Sequence, residues 1–310
     1  MRLSHFSILI FLISIVVVSG CKNNNDKQIG QFKGGLNGIE ASFMPTSPTS
    51  EFNKGDNVPV KVLLKNKGEN DITQGEAQVK LFGIHHQSFG LSDQYKPSSG
   101  ALYGTSEARI EGGEQQVDMG MINYNQDIVN FEEFDIKANI CYPYATLAIV
   151  NACISSTTLE QGKAQKACSI EGEKIAKGDV SSAPIQVTSI TEKFRSSDQL
   201  WLDISIENKG KGTAYNPSII CSDLDDITRR LDSENILDVK VPDDMQCAFL
   251  EQTSSSGQIR LGAGKALLRC SRNVKETSIF EKTVRIELKY KYLDTITKHI
   301  KIFSTTTGSA

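Results

Sequence analysis

The residue types that could do chemistry are few in this chain, and their spacings are poor for it. There are four His in 310 residues, and the only adjacent pair is His85-His86. It follows the strand-like run Gln78 to Ile84, which puts it at a loop mouth. Neighbouring side chains on an extended chain point to opposite faces, a poor arrangement for joint metal ligation or acid–base work. Asp223, Asp225 and Asp226, with Asp243 and Asp244 further on, form an acidic cluster whose hard oxygens suit calcium. The cluster lacks D-x-D-x-D-G spacing, and Arg229 and Arg230 sit beside it. These aspartates are therefore weak metal candidates and fit a solvated helix start better. Glu132-Glu133 have no second carboxylate at glycosidase spacing. Tyr142, Tyr144, Tyr290 and Tyr292 would either stack sugars or cover a sheet face. No G-x-S-x-G, Walker loop or H-E-x-x-H is present. The expectation is a protein that is not an enzyme, with no cofactor and no metal.

Cysteine is the remaining reactive type. The seven stand at 21, 141, 153, 168, 221, 247 and 270. None forms a C-x₂₋₄-C pair and His is scarce, so a structural zinc site is not indicated. Setting Cys21 aside leaves six, and an even remainder in an exported chain points to disulfides. Cys153 and Cys168 enclose a polar loop; Cys221 and Cys247 bracket an insertion. Those two bridges are expected, with Cys141 and Cys270 unassigned. Three of the six precede residue 180 and three follow it. Each half would then hold one pair and an odd thiol, unless a bridge crosses between halves.

Cys21 is set apart by what precedes it. Arg2 begins a leader whose apolar run, Phe6 to Val18, is broken only by Ser7 and Ser14. Such a run reaches about 20 Å as a helix, short of the roughly 30 Å hydrocarbon core, and fits a signal-peptide h-region. It ends Val18-Ser19-Gly20-Cys21, which resembles the lipobox of prokaryotic lipoproteins. The resemblance implies cleavage before Cys21 and a diacylglyceryl thioether on its sulfur. An ordinary signal peptide with an accidental Cys, or an uncleaved anchor helix, are the alternatives. Residues 1–20 are the expected signal peptide and 21–38, polar and glycine-rich, a flexible tether. The tail, 305–310, is polar, so attachment would be N-terminal only, on the extracytoplasmic face of the cell membrane.

Lys plus Arg is 34 against Asp plus Glu 37, a formal charge of −3, which argues against nucleic acid as a partner. Apolar residues at 39% suffice for real cores. What organises those cores is an internal repeat. Val60, Val62 and Leu64 alternate with Lys61, Leu63 and Lys65 and run into Asn66-Lys67-Gly68. Leu202, Ile204 and Ile206 do the same into Asn208-Lys209-Gly210, at an offset of 142. Period-two alternation marks a strand with one buried face, and the glycine is expected to free the backbone for a turn. Arg109 to Gly113 matches Arg260 to Gly264. Asp135 to Tyr144 matches Arg285 to Tyr292, each ending Tyr-x-Tyr before what reads as a closing hairpin. Long helical periodicity is absent; Asp225 to Val239 reads as one short helix.

The expected fold is therefore all-β: two tandem immunoglobulin-like β-sandwich domains at 39–155 and 183–304, joined by a linker or loop at 156–182. The element Gly55 to Gly68, its partner around Asn208 and the later glycine hairpin resemble CARDB-type immunoglobulin-like modules, adhesion-related domains of prokaryotic surface proteins. Insertions at His85 to Thr105 and Ser222 to Met245 depart from a simple module. The resemblance implies a lipid-anchored, non-catalytic adhesion, scaffold or protein-binding role, with another surface or envelope protein as partner. The alternative is an accessory lipoprotein that binds a sugar, peptide or metal for a transporter or envelope complex.

Overall fold

The computed structural model describes residues 31–154, 168–196, 198–275 and 278–304. The signal peptide, Cys21 and most of the expected tether, and much of the expected linker, lie outside the described residues. The alternation does what it should. In β3 (Asn57–Asn66), Val58, Val60, Val62 and Leu64 are buried while Lys61 and Lys65 are only partly so. In β9 (Gln199–Asn208), Leu200, Leu202, Ile204 and Ile206 are buried. Each such side chain contributes roughly 1.5–3 kcal/mol on leaving water, which fixes the inward face of each strand.

The fold is all-β and built of sandwiches. A three-stranded sheet runs β1 (Ile39–Phe43), β3, β6 (Glu114–Asn123). A five-stranded sheet runs β13 (Thr253–Ser254), β12 (Gln246–Ala248), β15 (Lys265–Asn273), β9, β8 (Ile185–Ser196). Both lie against one eight-stranded sheet, ordered β14 (Ser256–Arg260), β11 (Ile236–Lys240), β16 (Phe280–Phe303), β7 (Phe131–Ile154), β4 (Gln78–Phe82), β5 (Lys96–Pro97); β2 (Glu51–Asn53) and β10 (Thr213–Tyr215) also pair with β16.

The two halves are thus not separate beads. β7 and β16 are 24 residues each, about 80 Å long, and pair antiparallel from Phe131 opposite Phe303 to Ile154 opposite Phe280. The first part of β7, with Ile136, Ala138 and Ile140 buried, closes the sandwich of its own half; its later part, with Ala148, Val150 and Ala152 buried, runs beneath the other sandwich. β16 does the reverse, and its buried Ile300 and Ile302 reach back into the first half. The ladder has a local two-fold centre where Pro143 faces Lys291, so Tyr144 lies opposite Tyr290 and Tyr142 opposite Tyr292.

Tyr-x-Tyr therefore marks mid-strand, not the start of a hairpin. Pro143 does not break the strand because of its place in the ladder. Ser304 donates to the Asn130 carbonyl, and by alternation from there Pro143 falls at a non-hydrogen-bonded pair with Lys291. On its other side the pairing with β4 ends at Cys141. A missing N–H costs nothing at that position.

The expected helix is shorter than Asp225 to Val239. A 3-10 turn at Cys221–Asp225 precedes α2 (Ile227–Ser233), and Asn235, at φ 60°, turns the chain into β11. Ile236 and Leu237 are buried on that strand, whereas Ile227 and Leu231 stay exposed. An unexpected short helix, α1 (His86–Phe89), follows β4 and ends at Gly90 in the left-handed region. Residues 168–182, expected to be linker, run beside the second sandwich: Lys174 donates to the Ile190 carbonyl, and Ser181 and Ile149 bond to backbone across the gap to β7.

Candidate functional site

The sequence repeat is rebuilt at the waist where the halves meet, with a shared set of hydrogen bonds in both copies. Asn66 Oδ1 accepts from the Gly68 amide (3.1 Å) and from the Tyr144 hydroxyl (3.1 Å), and its Nδ2 donates to the Asn70 carbonyl (2.7 Å). Asn208 Oδ1 accepts from the Gly210 amide (3.1 Å) and the Tyr292 hydroxyl (3.2 Å), and its Nδ2 donates to the Gly212 carbonyl (2.8 Å). The other two tyrosines follow the same plan: the Ile39 amide donates to the Tyr142 hydroxyl at 3.3 Å and the Ile185 amide to the Tyr290 hydroxyl at 3.4 Å. The backbone agrees, with Asn66 N–H on the Gly113 carbonyl and Asn208 N–H on the Gly264 carbonyl.

The glycine of Asn-x-Gly is needed for a different reason from the one expected. Neither Gly68 nor Gly210 has a positive φ. A Cβ on Gly68 would fall on the Tyr144 hydroxyl, and one on Gly210 on the Tyr292 hydroxyl. The requirement is close approach, not conformational freedom.

The four tyrosine rings form one cluster, with neighbouring centroids 5.7–6.3 Å apart, and all four are buried. Burial pushes all four phenols up, Tyr292 to about 12 against the Gly212 amide that favours its ionised form, so each stays neutral. These tyrosines cover a sheet face. They offer no exposed ring for a sugar to stack on.

On the tyrosine side of the long strands the waist opens into two adjoining grooves. One, of about 600 Å³, lies between the halves and includes Ile39, Ala41, Pro184, Lys211, Asp294 and Ile296 in its walls. The other, of about 620 Å³, is walled by Lys33, Leu36, Ile175, Lys177, Val187 and Lys209. They share Leu36 and Lys209. The incoming chain is tied to both halves here by hydrogen bonds. Glu69 accepts from the amides of Lys33 (2.9 Å), Gly34 (3.1 Å) and Ser182 (2.7 Å), and the Phe32 amide donates to the Gly178 carbonyl at 2.9 Å. Open, cation-rimmed grooves suit a broad surface contact better than an enclosed small molecule. The sequence offered no signal for this face. Its lysines come from three distant segments and belong to no period.

The residues singled out for chemistry lie apart and have their own partners. His85 Nδ1 is 2.9 Å from Ser88 Oγ, and His86 Nε2 is 3.0 Å from the Leu81 carbonyl. His85 has extended backbone at the N-cap, and His86 opens the helical turn that follows. Asp223 pairs with Arg229 at 2.7 Å, Asp225 with Lys80 at 2.9 Å, and Asp226 caps α2 by accepting from the Thr228 and Arg229 amides. Asp244 holds Arg272 and Lys282 on another element. Glu132 accepts from the Tyr124 hydroxyl and Glu133 pairs with Lys301. The acidic cluster is not assembled into one site. Among the described residues no group of three or more His, Cys, Asp or Glu is placed to hold a metal.

Six cysteines form three disulfides. Cys153 bonds to Cys168, across the polar loop, as expected. The expected Cys221–Cys247 bridge is replaced. Cys247 bonds to Cys270, which lies directly opposite it on β12 and β15. Cys221 instead crosses to Cys141 in the other half, 80 residues away, and the 3-10 turn, with its own Leu224, packs with Tyr215, Ile219 and Leu293 on the outer face of the long strands. Cys21 lies outside the described residues.

No family model matches the chain, and no curated protein matches it. Among solved structures the chain is similar to the secreted serine protease VesC from Vibrio cholerae, at 10% identity and a TM-score of 0.19, over 82% of this chain and 50% of that one. It is also similar to Escherichia coli alpha-2-macroglobulin activated by porcine elastase, at 8% identity and a TM-score of 0.12, over 86% of this chain and 32% of that one. The chain therefore spans half the length of VesC, and scores this low carry no argument about fold or activity.

Proposed function

We propose that this is a lipid-anchored, non-catalytic protein of the extracytoplasmic membrane face, whose fused pair of immunoglobulin-like, CARDB-type sandwiches binds another surface or envelope protein. Cysteine pairing is the observation that carries the reading. All six cysteines beyond Cys21 close as disulfides within one body, which favours an oxidising compartment and leaves Cys21 as the one cysteine for the lipid. The position of Cys21 behind Val18-Ser19-Gly20 supports the same conclusion. The non-catalytic role is supported by the separate ion pairs and caps that occupy the carboxylates and histidines. A stiff ladder about 80 Å long suits a scaffold or a presenting surface.

Intact mass of the native mature protein, before and after reduction, tests this. The expected result is loss of residues 1–20, added diacylglyceryl mass, and the hydrogen gain of three bridges on reduction. A chain that keeps Met1 and carries no lipid would overturn it. A second reading, an accessory protein that binds a sugar, peptide or metal, would place its ligand in the groove between the halves. A thermal-shift screen with oligosaccharides, peptides and calcium tests that, since a ligand at 100 times its Kd adds about 2.7 kcal/mol.

A further inference from the structure

We propose that the waist of the molecule is a docking face for an anionic phospholipid bilayer, so that the rod lies along the membrane and is not held away from it. The proposal rests on lipid attachment at Cys21. It begins with where the chain enters the folded body. The hydrogen bonds of Phe32, Lys33 and Gly34 fix the entry at the waist, beside the two-fold centre of the ladder, and not at either end of the rod. Nine residues lie between Cys21 and Gln31, so ten Cα-to-Cα steps join them. Even fully extended they span about 35 Å, less than half the length of the β7–β16 ladder. A bilayer-inserted Cys21 therefore keeps the waist within reach of the headgroups, whatever the ends of the rod do.

The chemistry of that face suits the surface it is tied to. The groove where the chain enters is lined by Lys33, Lys177 and Lys209 and by no carboxylate. Lys211 joins Lys209 in the adjoining groove, whose lining also includes Glu40 and Asp294. All four lysines are exposed. Lys209 also pairs with Glu207. Leu36, shared by both grooves, is 52% exposed. An exposed apolar side chain in grooves that also carry lysines matches an interface of acyl chain and anionic headgroup. The two waist grooves together thus carry four lysines against two carboxylates, and the outer face of the long strands has no such excess. There Asp238, Glu287, Lys240 and Lys289 share one groove and balance in charge.

Lysine acylation of the purified lipidated full-length mature protein tests the proposal. The protein is reconstituted into vesicles of phosphatidylcholine alone or with about one-third phosphatidylglycerol, and labelling is read by mass spectrometry. Lys33, Lys177, Lys209 and Lys211 should be protected several-fold in the anionic vesicles relative to the neutral ones. Lys240 and Lys289, exposed on the opposite face, should label equally in both. Protection should disappear at about 1 M salt, where the Debye length is about 3 Å. In the triple variant Lys33→Glu/Lys177→Glu/Lys211→Glu, the several-fold protection of Lys209 should be lost, because each reversal removes an attraction to the anionic surface. Equal labelling in both vesicles overturns the docking face and leaves the anchor standing. Protection that is the same in neutral vesicles or detergent also overturns it, because another occupant is then covering the lysines. A mass without lipid removes the anchor, and the proposal falls with it.

Discussion

At the first corner of the repeat, Asn66 is fully buried and makes one bond more than its counterpart: Nδ2 also donates to the Leu102 carbonyl at 2.9 Å. At the second corner Asn208 is only partly buried and has no such partner among the described residues. The difference comes from the insertions. Residues 85–105 of the first half fold back over their own corner, where Ile72 and Leu102 form a bridge. The corresponding freedom in the second half is spent elsewhere: its insertion crosses to the first half through Cys141–Cys221 and the Lys80–Asp225 pair. Lys80 is pulled down by burial, yet Asp93 and Asp225 more than offset this and raise it. The two copies keep the same asparagine–tyrosine corner and differ in what covers it. The corner is the common element, and the insertions distinguish self-capping from cross-bracing.

The largest test of this comparison is to separate the halves. Chains covering 31–154 or 183–304 alone should show no cooperative unfolding by circular dichroism, because each lacks the buried residues that the other's long strand supplies. The whole chain should melt in one calorimetric transition; two resolved transitions would mean that the shared sheet is not a shared core. Next is the brace. Cys141→Ser with Cys221→Ser opens a loop of 80 residues, and chain entropy predicts a loss of about 4.5 kcal/mol. The same formula gives about 3 kcal/mol for Cys153–Cys168, separated by 15 residues. Denaturant melts of the two double variants should keep that order. The corners come third. Asn66→Ala should cost about 2–3 kcal/mol and Asn208→Ala about 1–2, since more buried partners are orphaned at the first. Equal costs would show that the Leu102 contact is energetically idle.

An effect of similar size to the second corner's is confined to the second half and to acid pH. The Glu192 side chain is fully buried, 2.5 Å from Lys174, and accepts from the Cys153 amide at 2.7 Å. Burial pushes its carboxyl up from 4.5 to about 6, outweighing both partners. The folded state therefore binds this proton more tightly than the unfolded state. The stabilising contribution is complete below about 4.5 and is lost as pH rises through about 6, a change of about 2 kcal/mol. Glu192→Gln should flatten that part of the stability–pH curve.

Period-two alternation alone settled which faces of β3 and β9 are buried, because a strand has only two faces and the apolar residues choose one. The repeat of Asn-x-Gly and Tyr-x-Tyr was equally plain, since those residues must recur wherever the same corner is built. Cys153–Cys168 was within reach for a similar reason: a short polar loop brings its ends together locally. Which strand lies beside which was not readable. Alternation says nothing about partner or register, so the pairing of β7 with β16 along their whole length, and with it one sheet through both sandwiches, belongs to tertiary structure. The same holds for Cys247 meeting Cys270 and Cys221 meeting Cys141. Those pairings follow from register and from where an insertion folds. The lysines at the waist were invisible for a related reason: each is an ordinary exposed cation in its own segment, and only the meeting of three segments makes them a face.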